Sequence, residues 1–172
     1  MWLPKLIATD IDGVWTDGGM YYSESGEELK RFNTYDSAGV VFCRYLGIPV
    51  AILTGEASMA VKRRAEKLAV TYCYTGLTDK LATLRTICEE VGVTLDKVAY
   101  LGDDINDITI LRSVGFSACP ASAPEYIKKM VSKVLTKKGG EGVFREFVES
   151  ILAGAGVLEN VLNNYLSQKP GM

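Results

Sequence analysis

Two carboxylates near the start of the chain have a spacing that suits catalysis. Asp10 and Asp12 follow a short apolar run at 6–9 and are themselves followed by a glycine. Where a buried strand gives way to a loop, two such carboxylates can converge on one centre, so that one attacks while the other transfers protons. A calcium loop is disfavoured because Val14 and Trp15 occupy its third-ligand and turn-glycine positions. We therefore predict Asp10 and Asp12 to be catalytic.

A second group of acids follows another apolar run, at 98–101. Asp103, Asp104 and Asp107 lie within five residues of one another. Such carboxylates repel one another unless a cation lies among them, and oxygen ligands suit Mg²⁺, which also binds water and phosphate. The cluster therefore predicts a magnesium site, with a solvated acidic loop as the alternative interpretation.

Donors for a phosphate lie between these two acidic segments. Thr54 and Gly55 end an apolar run at 48–53 and precede a predicted helix, where a hydroxyl and backbone N–H groups can bind phosphoryl oxygens. A helix cap is the alternative interpretation for Thr54. Lys80 lies near the start of a later helix and could neutralise a phosphate, although a lone lysine is ordinarily a surface residue.

Alternating strands and helices must position these residues. The pattern predicts an α/β fold, a doubly wound (Rossmann-like) parallel sheet with helices on both faces and an inserted β-hairpin. In such sheets the active site lies at the carboxyl ends of the strands, where Asp10, Thr54, Lys80 and Asp103 are expected. Strands are predicted at 6–9, 48–53, 70–74, 98–101 and 115–119, with a further short strand at 133–135; helices at 37–46, 57–68, 78–91, 108–113, 125–130 and 142–152; and the hairpin within 14–32.

Composition excludes several classes of chemistry and partner. The 172 residues contain no histidine, so a Ser-His-Asp triad and a His-ligated metal are excluded. The net charge of -2 gives no basic surface for nucleic acid. No apolar run reaches the roughly 18 residues that a membrane span needs. The four cysteines are isolated in sequence and are expected to be free, mostly buried thiols of a cytoplasmic protein.

The ordered set of motifs resembles the haloacid dehalogenase superfamily. The chain has hhhDxDG at Asp10 and Asp12, hhhTG at Thr54, a lysine at Lys80 and hhGDDxxD at Asp103, where h is an apolar residue. A finer resemblance, at 12–18, 27–33 and 139–146, is to the 3-deoxy-D-manno-octulosonate 8-phosphate phosphatases, a capless subclass that acts on eight- and nine-carbon 2-keto-3-deoxy sugar acid phosphates.

The short intervals between the motifs agree with the capless subclass. The hairpin and one helix already fill the interval from Asp12 to Thr54, and the interval from Thr54 to Lys80 is shorter still, so no cap domain fits. The resemblance implies one domain over 1–172, with the hairpin at about 14–32 and a C-terminal tail at about 139–172.

The resemblance also implies a mechanism. Asp10 attacks phosphorus and becomes an aspartyl phosphate, while Asp12 protonates the departing sugar oxygen and later deprotonates the hydrolytic water. The Asp10 carboxylate, the Asp12 backbone carbonyl and Asp103 bind Mg²⁺, which neutralises charge. Thr54 and Gly55 hold the phosphoryl oxygens.

Three further residues complete the implied phosphate and metal site. Lys80 provides the positive charge that clamps the phosphate. Asp104 and Asp107 orient Lys80 and the metal-bound waters rather than binding the metal directly.

One departure from the subclass pattern bears on the substrate. The octulosonate enzymes usually carry a basic residue after the Thr-Gly pair, whereas this chain has Glu56. Arg63 and Lys67 share its predicted helix face, with Arg64 at the edge, and a solvated charged face is the alternative to a role in binding sugar. A change from basic to acidic near the sugar should alter which sugar is accepted.

We therefore expect 2-keto-3-deoxy-D-glycero-D-galacto-nononate (KDN) 9-phosphate, or N-acylneuraminate 9-phosphate, as the substrate, which places the enzyme in KDN or sialic acid biosynthesis. The alternative is 3-deoxy-D-manno-octulosonate 8-phosphate, and the non-enzymatic alternative is a receiver-like phospho-acceptor domain. The loop at 33–36 matches a segment that faces substrate in the family, although it could equally cap a helix. The expected substrate-binding residues are Asn33, Thr34, Asp36, Glu56, Arg64, Lys67, Gly76 and Asn106.

The resemblance implies a homotetramer. An open, capless site needs a cover, and in the family hairpins pair while the C-terminal tail of a neighbouring subunit closes the pocket. The segment 139–146 resembles that tail, and the aromatic-rich hairpin would otherwise expose apolar surface.

Overall fold

Short apolar runs form the strands and amphipathic segments form the helices of the computed structural model, which describes residues 2–167. The strands are β1 (Leu6–Thr9), β2 (Tyr21–Tyr22), β3 (Glu28–Leu29), β4 (Val50–Leu53), β5 (Tyr72–Tyr74), β6 (Val98–Leu101), β7 (Phe116–Cys119) and β8 (Lys133–Val134). The helices are α1 (Asp36–Tyr45), α2 (Met59–Leu68), α3 (Lys80–Val91), α4 (Ile108–Leu111), α5 (Glu125–Lys128), α6 (Val143–Gly154) and α7 (Leu158–Ser167).

The main sheet is parallel throughout and has the order β5-β4-β1-β6-β7-β8. Side chains alternate across it, so β1 contributes to two cores. Ile7 lies in a cluster with Phe42 of α1 and Phe144 of α6. Leu6 lies in a second cluster with Leu84 of α3 and Ile110 of α4. Helices therefore cover both faces, which confirms the predicted doubly wound sheet.

The segment between β1 and β4 contains the hairpin and α1. Strands β2 and β3 pair antiparallel, with Tyr21 opposite Leu29. Within residues 2–167 this is the only sheet besides the main one, and no cap domain is present. The predicted hairpin insertion is confirmed.

Most of the predicted strands and helices have observed boundaries that differ by one or two residues. The strand expected from residue 70 begins at Tyr72, because the N–H of Val70 donates to the carbonyl of Ala65 and so closes α2. Residues 158–167 of the C-terminal tail, which are not among the predicted helices, form the regular helix α7. Val161 anchors α7 in the core and is 1% exposed. The amphipathic pattern of α7 was too short to predict a docked helix, since its stability comes from packing rather than propensity.

All four cysteines are free thiols, as expected: Cys43, Cys88 and Cys119 are buried and Cys73 is partly buried. Burial raises the pKa of the Cys43 thiol to about 12. Among residues 2–167 there is no helix with the length and apolar character that a membrane crossing requires.

Candidate active site

Three neighbouring strands bring the predicted acids and the phosphate donors together. Asp10 follows β1, Thr54 follows β4 and Asp103 follows β6, and β1 lies between β4 and β6 in the sheet. A cavity of about 350 Å³ opens at these strand ends. Its lining consists of Asp10, Asp12, Gly13, Asp17, Gly18, Met20, Thr54, Gly55, Glu56, Asp103, Asp104, Asn106 and Ser122.

Lys80 lies beneath this cavity, between two carboxylates. Its Nζ donates to Asp10 Oδ2 at 2.6 Å and to Asp107 Oδ1 at 2.7 Å, and its side chain is 2% exposed. The helix α3 begins at this residue, and the Asp79 side chain caps it by accepting from the N–H of Ala82. Lys80 is therefore a buried, paired cation rather than a surface lysine.

Asp107 holds Lys80 and has no capacity left for a metal. Its Oδ1 accepts from Lys80 and from the Tyr100 hydroxyl at 2.6 Å. Its Oδ2 accepts from the backbone N–H groups of Asp103 at 2.9 Å and Asp104 at 3.3 Å. An ionised carboxylate has about four acceptor positions, and all four are used here. This agrees with the prediction that Asp107 orients Lys80.

Burial and mutual repulsion dominate the electrostatics of the site. Burial, followed by the charge of Asp107, raises the pKa of Asp10 to about 7, although Lys80 acts in the opposite direction. Burial and the charge of Asp10 raise the pKa of Asp103 to about 8. Burial alone would lower the pKa of Lys80, but the Asp10 and Asp107 charges raise it. The carboxylates thus exceed the one lysine that neutralises them, and a cation would stabilise their ionised forms.

The residues present fit a magnesium ion. Single carboxylate oxygens of Asp10, Asp103 and Asp107 all lie within 4.8 Å of one another. Because Asp107 is fully hydrogen-bonded, Asp10 and Asp103 are the carboxylates that can bind a metal, and Asp103 Oδ1 is buried without a hydrogen-bond partner in the described chain. Asp103 can lie this close to the loop after β1 because residue 13 is a glycine. A Cβ on Gly13 would lie 1.9 Å from Asp103 Oδ2.

Asp12 also lines the cavity, and its carboxylate has a cationic partner. Lys30, just after β3, donates to Asp12 Oδ1 at 2.6 Å. Thr16 is 1% exposed and donates to the same oxygen at 3.3 Å. The two catalytic aspartates therefore each lie against a different lysine.

Thr54 and Gly55, the predicted phosphate donors, and Asp104 also line the cavity. Thr54 is 1% exposed, and Gly55 is exposed beside Asn106. The Asp104 side chain caps the 3₁₀ turn at Ile105–Asp107 by accepting from the N–H of Ile105 at 2.7 Å. The Asp104 carboxylate faces this turn and the Tyr126 hydroxyl rather than Lys80. The prediction that Asp104 orients Lys80 is therefore not supported, while its orientation of metal-bound water stays a prediction.

The loop at 33–36 does not line the cavity. Asp36 is 0% exposed, and its Oδ1 accepts from the N–H of Arg145 at the start of α6. Asn33 donates to the carbonyl of Gly140 at 3.0 Å, and Thr34 borders a separate groove beside α7. In the single chain these three residues contact or border α1 and the C-terminal segment rather than the cavity, so their binding of substrate stays a prediction.

The basic residues of α2 are also outside the cavity. Arg64 donates to the carbonyl of Asn33 and to Ser37 Oγ, and its guanidinium lies 5.9 Å from the centre of the Phe32 ring. Lys67 is exposed to solvent. The expected binding of substrate by Arg64 and Lys67 is thus not supported within one chain.

Of the remaining substrate predictions, Glu56 and Asn106 do line the cavity. Gly76 does not line it, although its N–H donates to the carbonyl of Glu56 at 3.3 Å. Gly76 has a φ of +73°, a left-handed conformation that favours glycine in this turn.

The segment 139–146 lies within its own subunit. A Cβ on Gly139 would lie 2.0 Å from the carbonyl oxygen of Gly13, and the N–H of Gly140 donates to the carbonyl of Val14 at 2.9 Å. Phe144 is fully buried. Within the single chain this segment therefore supports the catalytic loop of its own subunit, and the covering of a neighbouring subunit's site stays a prediction.

Sequence reasoning gave no role to several residues that the structure brings to the site. Asp17, Gly18, Met20 and Ser122 line the cavity. Asp17 and Gly18 lie in one of the segments that carried the finer resemblance, which was the available signal. Lys30 lies in another of those segments, 27–33, whereas Tyr100 had no such signal, because a tyrosine in a strand is ordinary at that position.

Comparisons with known proteins agree with this geometry. Residues 73–147 match the family of haloacid dehalogenase-like hydrolases. The chain is 36% identical over 152 residues to the 3-deoxy-D-manno-octulosonate 8-phosphate phosphatase KdsC of Haemophilus influenzae, covering 88% of this chain and 84% of that protein.

Solved structures give the same result. The Moraxella catarrhalis 3-deoxy-D-manno-octulosonate 8-phosphate phosphatase, in complex with magnesium, phosphate and KDO, has a TM-score of 0.90 at 33% identity, covering 94% of this chain and 93% of that one. The cobalt-bound Haemophilus influenzae enzyme has a TM-score of 0.86 at 35% identity, covering 90% and 91%. These relatives are hydrolases, so the receiver-like alternative has no support. The chain belongs to the haloacid dehalogenase-like hydrolases, in the capless group that contains the 3-deoxy-D-manno-octulosonate 8-phosphate phosphatases, and it is a phosphoric monoester hydrolase acting on a sugar acid phosphate.

Proposed function

We propose that this enzyme hydrolyses 3-deoxy-D-manno-octulosonate 8-phosphate through an aspartyl-phosphate intermediate. The observation that carries the chemistry is the buried Lys80, 2.6 Å from Asp10 at the base of the cavity. The substrate is supported by the curated and solved relatives that carry this activity in their names. This reverses the sequence-based preference for a nine-carbon substrate.

The residues of the cavity have distinct roles in the proposed reaction. Asp10 attacks phosphorus, and the sugar oxygen leaves with a proton from Asp12. Water then attacks the aspartyl phosphate and gives its proton to Asp12, so Asp12 returns to its starting state. Thr54 and Gly55 bind phosphoryl oxygens, and Lys80 stabilises their negative charge.

Magnesium is the cofactor of this reaction. The Asp10 carboxylate, the Asp12 backbone carbonyl and Asp103 would hold the ion, consistent with the unpartnered Asp103 Oδ1. When bound, Mg²⁺ neutralises carboxylate and phosphate charge so that one anion can approach another. Asp104 and Asn106 lie on the cavity wall, where they can contact metal-bound water or substrate.

A second candidate substrate is KDN 9-phosphate or N-acylneuraminate 9-phosphate, which Glu56 favours. Glu56 is exposed and lines the cavity, at the position where the octulosonate enzymes usually carry a basic residue. A carboxylate there can accept hydrogen bonds from additional sugar hydroxyls, whereas a basic residue would instead attract the sugar carboxylate.

The deciding experiment compares kcat/KM for the eight-carbon and nine-carbon phosphates in the presence of Mg²⁺. We expect the eight-carbon substrate to be preferred by about tenfold or more, which corresponds to about 1.4 kcal/mol in the transition state. A tenfold preference for the nine-carbon substrate would establish the second candidate. Glu56→Lys is the companion variant, and it should shift the ratio towards the eight-carbon substrate.

Asp10→Asn tests the nucleophile independently of the sugar. Loss of the attacking carboxylate should lower phosphate release from both substrates by roughly a thousandfold or more. The variant is nearly isosteric, so circular dichroism and thermal unfolding should show an intact fold. Substantial retained turnover on either substrate would remove Asp10 as the nucleophile.

A homotetramer and a cytoplasmic location remain part of the proposal. The hairpin carries exposed Tyr21, Tyr22 and Leu29, with 49%, 69% and 66% of their surface accessible in the single chain. Exposed apolar side chains grouped on one element are typical of a protein interface. Pairing of hairpins between subunits would bury them, as the family resemblance implies.

A further inference from the structure

The hairpin delivers one buried cation to the catalytic loop. Lys30 follows β3, and its side chain is only 2% exposed, whereas the preceding Leu29 is 66% exposed. Lys30 Nζ lies 2.6 Å from Asp12 Oδ1 and 3.7 Å from Met20 Sδ. This contact therefore joins the hairpin to the side chain that the proposed mechanism uses for proton transfer.

The two oxygens of the Asp12 carboxylate are not equivalent. Oδ1 accepts from Lys30 at 2.6 Å and from Thr16 Oγ1 at 3.3 Å. Oδ2 is buried and has no hydrogen-bond partner in the part of the chain that the structure describes. A carboxylate held through one oxygen has a fixed plane, so its second oxygen is presented in one direction.

In the part of the chain that the structure describes, the other ion pair at this end of the hairpin is exposed. Strands β2 and β3 are two residues each, and all four of their residues are exposed. The neighbouring Arg31 contacts Asp17 at 3.6 Å, but the side chain of Arg31 is 67% exposed, and such a pair contributes little. Lys30 therefore provides a buried polar attachment between the hairpin and the loop that carries Asp12.

We propose that Lys30 is a positioning residue that holds Asp12 through Oδ1 and leaves Oδ2 as the oxygen that exchanges protons with the sugar oxygen and with water. The inference rests on the proposed function of Asp12. It gives the hairpin a catalytic role in addition to any role in assembly, since movement of the hairpin would move the lysine that fixes the acid.

The two proton transfers balance at Oδ2. As the bond between Asp10 and phosphorus forms, the bond between phosphorus and the sugar oxygen breaks, and that oxygen takes the proton from Oδ2. In the second step, water bonds to phosphorus, its proton passes to Oδ2, and the bond from phosphorus to Asp10 breaks. Lys30 retains its own protons throughout.

The experiment compares a leaving group that needs a proton with one that does not. A sugar alkoxide leaves poorly without one, whereas acetate leaves from acetyl phosphate without protonation. With enzyme in excess, we would measure release of sugar from 3-deoxy-D-manno-octulosonate 8-phosphate and release of acetate from acetyl phosphate, for wild type, Lys30→Met and Lys30→Gln. General acids contribute about 10²–10⁴-fold, so we expect sugar release to fall about tenfold or more and acetate release to change less than about threefold.

Two reference variants make the result specific. Arg31→Met removes the adjacent exposed cation and should release both products at the wild-type rates. Asp12→Asn should lose sugar release selectively, and failure to do so would contradict the proposed role of Asp12 itself. If Asp12→Asn shows that selectivity while both Lys30 variants lose the two activities equally, or lose neither, the inference about Lys30 is overturned and the proposed function stands.

Discussion

At the scale of single residues, Asp107 decides how Lys80 is used. Because its four acceptor positions are filled by Lys80, Tyr100 and two backbone N–H groups, it fixes the ammonium group beside Asp10. A carboxylate in the same cluster with free acceptor positions would compete for the metal. The hydrogen-bond count therefore separates the metal-binding acids from the positioning acid more clearly than distance does.

Tyr100→Phe should make the positions of Asp107 and Lys80 less fixed while leaving both residues in the site. Removal of the hydroxyl 2.6 Å from Asp107 Oδ1 leaves the carboxylate freer to rotate, and Lys80 moves with it. A hydrogen bond to a charged group contributes about 1.5–3 kcal/mol, so we expect kcat to fall about tenfold with KM changed less than about threefold. Steady-state kinetics on the sugar phosphate measure both.

Tyr72→Phe is the matched control for that variant. The Tyr72 hydroxyl also donates to a carboxylate, Glu90 at 3.2 Å, but this hydrogen bond is exposed and neither residue lines the cavity. Its kinetics should equal those of wild type. Indistinguishable kinetics for the two variants would mean that Tyr100 has no positioning role.

At the scale of elements, the C-terminal segment supports the catalytic loop by close backbone contact. Gly139→Ala would place a Cβ 2.0 Å from the carbonyl oxygen of Gly13, so the loop that carries Asp12 must shift. Overpacking of this kind lowers the free energy of unfolding by about 1–3 kcal/mol. At this chain length each kcal/mol lowers Tm by about 2–4 °C. We expect a lower Tm together with a loss of turnover of about tenfold or more.

Gly154→Ala provides the comparison for the glycine variant. A Cβ at Gly154, the last residue of α6, meets nothing within 4 Å. Replacement of a helical glycine by alanine is neutral or stabilising, so Tm should not fall and turnover should stay at the wild-type value. Equal effects of the two alanines on turnover would contradict the supporting role of Gly139.

The buried cap that α1 provides to α6 should make stability depend on pH. Burial raises the pKa of Asp36 to about 6, against hydrogen bonds from the N–H groups of Arg145 and Phe144. The pKa of Asp36 in the folded state exceeds the ordinary 3.8. Its stabilising contribution to the free energy of unfolding is therefore fully present below pH 3.8 and is lost as the pH rises through about 6. The difference between these two pKa values corresponds to a change of roughly 3 kcal/mol at most in the free energy of unfolding.

Asp36→Asn keeps an acceptor for the helix but cannot titrate. The free energy of unfolding of wild type minus that of the variant should therefore fall as the pH rises from about 4 to about 8, as measured by urea denaturation. Asp96→Asn is the control, since hydrogen bonds from Thr94 and Lys97 lower the pKa of Asp96 and its titration lies below this range. A pH-independent difference for Asp36→Asn would refute this account.

At the scale of the whole molecule, the exposed hairpin should determine assembly. Replacing Tyr22 and Leu29, which are 69% and 66% exposed, by serine removes apolar surface without touching the core. We expect wild type to sediment as a tetramer at micromolar concentration and the double variant to sediment as smaller species. Sedimentation of fully active wild type as a monomer would contradict the proposed assembly.

Much of the fold was predictable because its signals are local. Asp10, Thr54 and Asp103 each follow an apolar run of four to six residues. The alternation of such runs with helices indicates a parallel sheet. Parallel strands have their carboxyl ends at one edge, so these three residues had to meet there. The chemistry of a carboxylate pair, a phosphate donor and a magnesium site followed from residue types and spacing alone.

Only the tertiary structure decided which other polar side chains reach the site. Asn33 contacts Gly140, 107 residues away in sequence, and Lys30 contacts Asp12, 18 residues away across the hairpin. Neither contact follows from a local period, because each depends on how two separately formed elements pack. For that reason the sequence determined the strand-end site and its reaction class, while packing placed Asp36 and Arg64 in structural contacts. Packing also brought Lys30 to Asp12 and Tyr100 to Asp107.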